Sequence, residues 1–239
     1  MLAGRLTPAR AGGNRQEVAQ RTAKPLRCAA QGGANPLQVL QSAADAWSRR
    51  GAIARAKQAL RQCVAGTARG VSSGSGTRAA VEALVDQLAA LSRAEVAAGG
   101  VAPTDAGVLT GCWRLLWTSE RETLWLLENG LPFTGCAAGE SYQSIDVQKG
   151  TLSNAVLFGA EDSYAFVVTA RAQVESQTRT RFAFSAAEVR RPAAKPLNIP
   201  PFGSGWFDTL YADAELRVAR DSRGDTLIVE RCRTPRRLD

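Results

Sequence analysis

Asp208, Asp213 and Glu215, with Arg217 two residues further on, form the densest charged group in the C-terminal half of the chain. Paired carboxylates can exchange protons with a substrate or hold a divalent cation. The competing reading is an ion-paired brace at a barrel end. Oxygen ligands this close along one strand point to alternating faces, which favours the brace. A second candidate is the string Gly70-Val71-Ser72-Ser73-Gly74, which matches the G-x-S-x-G nucleophile elbow. That elbow needs a strand before it, a helix after it and a histidine partner. Here a Gly/Ser-rich stretch surrounds the string, and the chain contains no histidine. The same absence removes Ser-His-Asp and Cys-His chemistry, histidine metal sites and the commonest general base. Five cysteines, Cys28, Cys63, Cys112, Cys136 and Cys232, include no C-x-x-C pair. Without a secretory signal, buried free thiols are expected. These residues point away from catalysis, and no motif asks for a metal or a cofactor.

The elements that position these residues follow from periodicity. Residues 36–66 read as helix: Leu40, Ala43, Ala44 and Trp47 fall at helical spacing, Gly51 interrupts, and Ile53, Ala56, Leu60 and Val64 resume. A Gly/Ser linker spans about 70–77. Thr77 is placed to cap a second helix, whose apolar stripe is Val81, Leu84, Val85, Leu88 and Leu91. Residues 36–98 are thus a helical N-terminal segment. From residue 109 the period becomes 2. Trp113, Leu115 and Trp117 alternate with Cys112, Arg114 and Leu116. Tyr164, Phe166, Val168, Ala170, Ala172 and Val174 share a face, and Thr180, Phe182 and Phe184 share another. Residues 214–232 read as a hairpin turning at "DSRGD", which explains Arg223-Gly224-Asp225 as an ordinary turn string. About eight antiparallel strands over 109–232, with no βαβ pattern, predict a barrel or a sandwich. The stretch 191–206 holds four prolines and two glycines and is expected to be an ordered loop or a flap over one end.

The net charge of +8 is unevenly spread. Residues 1–33 hold Arg5, Arg10, Arg15, Arg21, Lys24 and Arg27 against Glu17 alone. An Arg-rich, acid-poor N-terminus without an apolar h-region reads as an organelle transit peptide, the alternative being a plain disordered basic tail. Because much of the charge sits there, the basicity does not argue for a nucleic-acid partner. A second basic cluster, Arg231, Arg233, Arg236 and Arg237, leads into a basic tail at 233–239, read as solvated rather than lipid-facing. No apolar run approaches the roughly 20 residues of a membrane span.

Two blocks in the β region resemble the plastid lipid-associated protein family, also called plastid fibrillins. The first is the opening-strand pattern G-x-W-x-L-x-[YW]-T-S, carried here by Gly111, Trp113, Leu115, Trp117, Thr118 and Ser119. The second is Asp-Thr-x-Tyr-x-Asp-x-x-x-Arg, carried by Asp208, Thr209, Tyr211, Asp213 and Arg217. The resemblance covers roughly residues 36–232. Trp117 stands where tyrosine is more usual, and the 70–78 linker looks like a local expansion.

The resemblance implies a mainly β, antiparallel, lipocalin-like barrel preceded by one or two helices. It also implies a plastid location, at thylakoids or plastoglobules, and a link to carotenoids, prenylquinones or fatty acids. On that reading an apolar ligand sits among Leu115, Trp117, Phe166, Val168, Phe182 and Phe184. Trp113 closes one barrel end beneath an arginine. Arg217 is a candidate for that arginine, although its alternation with Leu216 and Val218 leaves its facing open. The alternating faces fit a filled barrel equally well. The second expectation is accordingly an interaction protein with a packed interior. It would dock on plastid membrane or plastoglobule surfaces, or assist a prenylquinone-pathway enzyme, through its helices.

Overall fold

The computed structural model describes residues 35–160, 163–200 and 203–234. The expected transit segment at 1–33 lies outside the described residues, as do Arg236 and Arg237 of the tail. Helix α1 spans Pro36–Val64, capped by the Asn35 side chain, which accepts from the Leu37 amide. It runs through Gly51 without a break. A mid-helix glycine costs about 1 kcal/mol against alanine, too little to stop a helix whose second half is anchored by packing. Only that half is anchored: Ala56, Leu60 and Val64 are buried, whereas Leu37, Leu40 and Trp47 stand in solvent. After a 3-10 turn at Ala68–Gly70, helix α2 spans Ser75–Ala97. It begins ahead of Thr77, with Gly74 at the cap position and no side-chain cap. Its stripe packs as the spacing predicts, with Val81, Val85 and Leu88 buried and Leu84 and Leu91 beside them.

The rest is a sheet with two short helices at its ends. Its elements are α3 (Ala106–Leu109), β1 (Gly111–Thr118), α4 (Arg121–Asn129), β2 (Ala138–Asp146), β3 (Thr151–Phe158) and β4 (Tyr164–Val174). They continue with β5 (Arg179–Arg191), β6 (Ala194–Ile199), β7 (Ser204–Ala212), β8 (Leu216–Asp221) and β9 (Thr226–Arg231). Eight strands close a ring in the order β1-β2-β3-β4-β5-β7-β8-β9, with β9 returning to β1. Every pairing is antiparallel. The ninth strand, β6, pairs with β5 alone. It lies in the proline-rich stretch expected to be a loop. The prolines are tolerated because β6 is an edge strand and Pro196 falls at a register irregularity opposite Val189–Arg191.

Two bulges set which side chains face inward. Leu115 pairs with Val229, yet Trp117 pairs with Ile228, so one residue is inserted and the alternation changes phase. The same happens in β7, where Thr209 pairs with Ala219 but Tyr211 with Val218. Trp117 and Tyr211 therefore leave the inner face. They join Leu216, Val218 and Ile228 on the outer surface, where α1 and α2 cover them. The expectation that Trp117 lines the ligand space is corrected on this ground.

Candidate functional site

One end of the barrel is closed by α3 and the G-x-W segment. Asp105 caps α3 by accepting from the Gly107 amide, which places Leu109 under the ring. The Trp113 indole N–H donates to the Leu109 carbonyl at 3.1 Å. Arg231 lies over the same indole, 4.2 Å from its centroid. Its guanidinium donates to the carbonyls of Thr110 (2.9 Å), Ala214 (3.1 Å) and Val108. Gly111 is required here, because a Cβ on this positive-φ residue would strike the Arg231 guanidinium. Arg231, expected among the solvated C-terminal arginines, is instead the closing clamp. Arg217 is also near Trp113, though further, at 5.6 Å. At the other end of β1, α4 lies over the opening. Leu126 packs with Val156, Phe158 and Phe166, and Leu127 joins the interior cluster.

The interior between these caps is apolar with a polar strip. Leu115, Phe182 and Phe184 belong to one cluster with Trp113, Ile145, Leu152 and Phe207. The Phe182 ring meets Phe184 at 5.2 Å and Phe207 at 6.3 Å between centroids, tilted by 53° and 31°. Phe166 falls in a separate cluster under α4, with Leu131, Val156 and Phe158. Val168 faces inward opposite Asn154 and Ala187. Of the six expected lining residues, five face the interior and Trp117 does not. Phe166, Val168, Phe182 and Phe184 are only half-buried although they point inward. Side chains in the middle of a filled barrel are dry, and these four are not.

The polar strip comprises Gln143, Asn154, Thr180, Thr209 and Arg217. Gln143 donates to Asn154 at 2.8 Å and accepts from Arg217 Nη2. Arg217 is fully buried, and burial pushes its pKa down to about 9, with Glu120 countering through space. It remains protonated at neutral pH.

The signature acids do not converge on Arg217. Asp208 forms a two-pronged pair with Arg179, both oxygens at 2.8 Å, and Arg179 in turn lies 3.6 Å above Trp206. Asp213 accepts from Lys57 and Tyr211, each at 2.5 Å, and from the Glu215 and Leu216 amides at 2.8 Å. Glu215 takes a second bond from Lys57. Burial opposes ionisation of Asp213, but Lys57, Tyr211 and the two amides outweigh it and hold its carboxyl below the usual range. Burial, reinforced by Asp213, pushes the Tyr211 phenol up. These groups tie α1 to the β7–β8 turn; among the described residues no three or more His, Cys, Asp or Glu are grouped to hold a metal.

The Gly70–Gly74 string is a packed turn against β1. Gly70 approaches the Thr118 carbonyl too closely for any side chain, and Ser73 Oγ accepts from the Trp117 indole at 2.9 Å. Of the cysteines described, Cys112 is buried and Cys63, Cys136 and Cys232 only partly so, and the sulfurs of Cys112 and Cys232 meet across β1 and the end of β9 at 2.6 Å. Sequence reasoning missed Arg231, Lys57, Gln143 and Ser73. Only the parity of Gln143 with Ile145 on one strand offered a signal; the other three act through contacts across 44 residues or more, or with loop carbonyls.

The profile of the PAP_fibrillin family matches residues 54–230. A protein of Arabidopsis thaliana, "Probable plastid-lipid-associated protein 11, chloroplastic", is 44% identical over 123 residues. Those residues are 52% of this chain and 56% of that protein, so the chain spans just over half of the relative's length. No solved structure matches.

Proposed function

The chain belongs to the PAP_fibrillin family, and from that premise we propose that it is a non-enzymatic plastid protein whose barrel holds an apolar lipid. The carrying observation is the inward-facing but half-buried row Phe166, Val168, Phe182 and Phe184 on β4 and β5. An apolar chain laid against this wall would gain roughly 25 cal/mol for each Å² removed from water. Carotenoids, prenylquinones and fatty acids are the ligand classes in view. Thylakoid or plastoglobule surfaces are the place of action, and residues 1–33 the targeting segment. The chloroplastic, lipid-associated name of the relative supports this reading. The test is to incubate the purified protein with plastid lipid extract, re-isolate it and identify bound lipid by mass spectrometry. A co-purifying prenyl lipid or fatty acid, with quenching of Trp113 fluorescence on titration, is the expected result. Recovery of protein free of lipid, with no quenching, overturns the reading.

A second reading, attachment through the helices to a lipid surface or a prenylquinone-pathway enzyme, is favoured by the outer half of α1. Leu37, Leu40 and Trp47 are 72%, 68% and 79% exposed there. Flotation with plastid-lipid vesicles should be lost in a Leu40→Ser, Trp47→Ser variant. Equal flotation of variant and parent counts against it.

A further inference from the structure

Arg217 is the only charged side chain among the fully buried described residues. Its Nη2 donates to Gln143, but Nε and Nη1 have no hydrogen-bond partner, and no carboxylate of the described residues lies within ion-pair distance. Trp113 and Phe207 each present a ring 5.6 Å from its guanidinium carbon. The register places two more orphans on the same inner wall. Thr180 pairs with Phe207 across β5–β7, and Thr209 pairs with Ala219, two residues from Arg217, across β7–β8. Both hydroxyls are buried and without partners. A guanidinium with two of its three nitrogens unbonded, and two hydroxyls without partners, are costly to the folded chain, because buried donors lose water without replacement. The other shifted arginines, Arg114, Arg179, Arg220 and Arg223, all sit in ion pairs.

We propose that the barrel is a receptor for a single-chain monoanionic lipid, a long-chain carboxylic acid, whose carboxylate pairs with Arg217 while its hydrocarbon lies along Phe182, Phe184, Val168 and Phe166. This rests on the lipid-holding reading above and names the class within it. Glu120 acts on Arg217 only through space, so the guanidinium is open to one negative head group in contact, which a carboxylate supplies and a phosphate monoester exceeds in charge. The approach is marked by the aromatic series Phe184, Phe182 and Phe207, each ring in tilted contact with the next and the last bordering the guanidinium. Arg217 is fully buried and Phe207 nearly so, so entry requires the Phe207 ring to turn aside. The hydroxyls of Thr180 and Thr209 then provide neutral donors on the same wall.

The experiment uses the full chain, stripped of lipid, titrated with oleate and with methyl oleate at pH 8 while tryptophan fluorescence is followed. The two probes share a tail and differ in head-group charge. Oleate is expected to bind at least about tenfold more tightly than its ester, as a charge-assisted hydrogen bond predicts. Arg217→Met should bring oleate down to the ester's affinity and leave the ester within about twofold. Arg217→Lys should keep part of the preference. Should Arg217→Met not fold, oleate with a 13C-labelled carboxyl group reads the pair in the unmodified protein, where that carboxyl should titrate below its value in detergent micelles. Equal binding of acid and ester overturns this inference and leaves the lipid-holding reading standing. An acid preference that persists in Arg217→Met also overturns it, by placing the carboxylate elsewhere. Failure of both probes to bind removes the inference together with the reading it rests on.

Discussion

Arg231 lies over Trp113, 4.2 Å from the ring centroid, and donates to the carbonyls of the two residues that flank Leu109. One side chain thereby fastens the end of the last strand to the segment that enters the first. The barrel end is sealed by an aromatic–guanidinium stack with its hydrogen bonds filled, and Gly111 exists to let that guanidinium pass.

Gly111→Ala should therefore destabilise the barrel although it adds a single methyl group. Overpacking of this kind costs about 1–3 kcal/mol. Urea unfolding followed by circular dichroism should show a lower midpoint with an unchanged slope. Arg231→Lys keeps the charge but loses the planar fork, and should lower the midpoint too.

Trp117 belongs to the helix–sheet interface and not to the interior. Trp117→Phe removes the bond to Ser73 and should cost about 1–3 kcal/mol by leaving a buried hydroxyl unpaired. Ligand-induced quenching should survive the substitution, because Trp113 is the indole inside the barrel. Loss of quenching in Trp117→Phe would put the ligand outside the ring.

Phe184 faces the interior but is half-buried, so its contribution falls on binding more than on stability. Phe184→Ala should weaken an apolar ligand by about ten- to a hundredfold, the equivalent of roughly 1.5–3 kcal/mol of lost ring burial. The unfolding midpoint should move less than for Leu60→Ala in the covered interface, where about 2–5 kcal/mol is expected.

Asp213 governs an acid-side dependence. Its folded pKa lies below the ordinary value of 3.8. The stability it contributes is therefore fully present above that value and is lost as pH falls through the folded pKa. Asp213→Asn should lose about 1–3 kcal/mol at pH 7 through the bonds from Lys57, Tyr211 and the turn amides. Its stability should then vary less between pH 5 and pH 2 than the parent's, checked by thermal unfolding across that range.

The local pattern carried much of this protein. A period of 2 from residue 109 onward specifies strands, and a count near eight matches the closed ring, because alternation is a property of neighbours along the chain. The stripe Val81, Leu84, Val85, Leu88 and Leu91 likewise names its own helix face. The absence of histidine narrows the chemistry without any structure. What the sequence left open depends on residues distant in the chain. Two bulges, at Leu115/Trp117 and Thr209/Tyr211, invert facing in a way that alternation cannot signal, since an inserted residue is defined only against a partner strand. Arg217 and Arg231 look alike as letters, each an arginine in a short strand of the closing hairpin. Closure of the ring turns one into a clamp bonded to three carbonyls and the other into a buried charge with two donors unmet. Pro196 argues against a strand until the edge position of β6 removes the need for its missing N–H. Where a side chain's role is set by what it meets across the barrel, only the assembled sheet decides it.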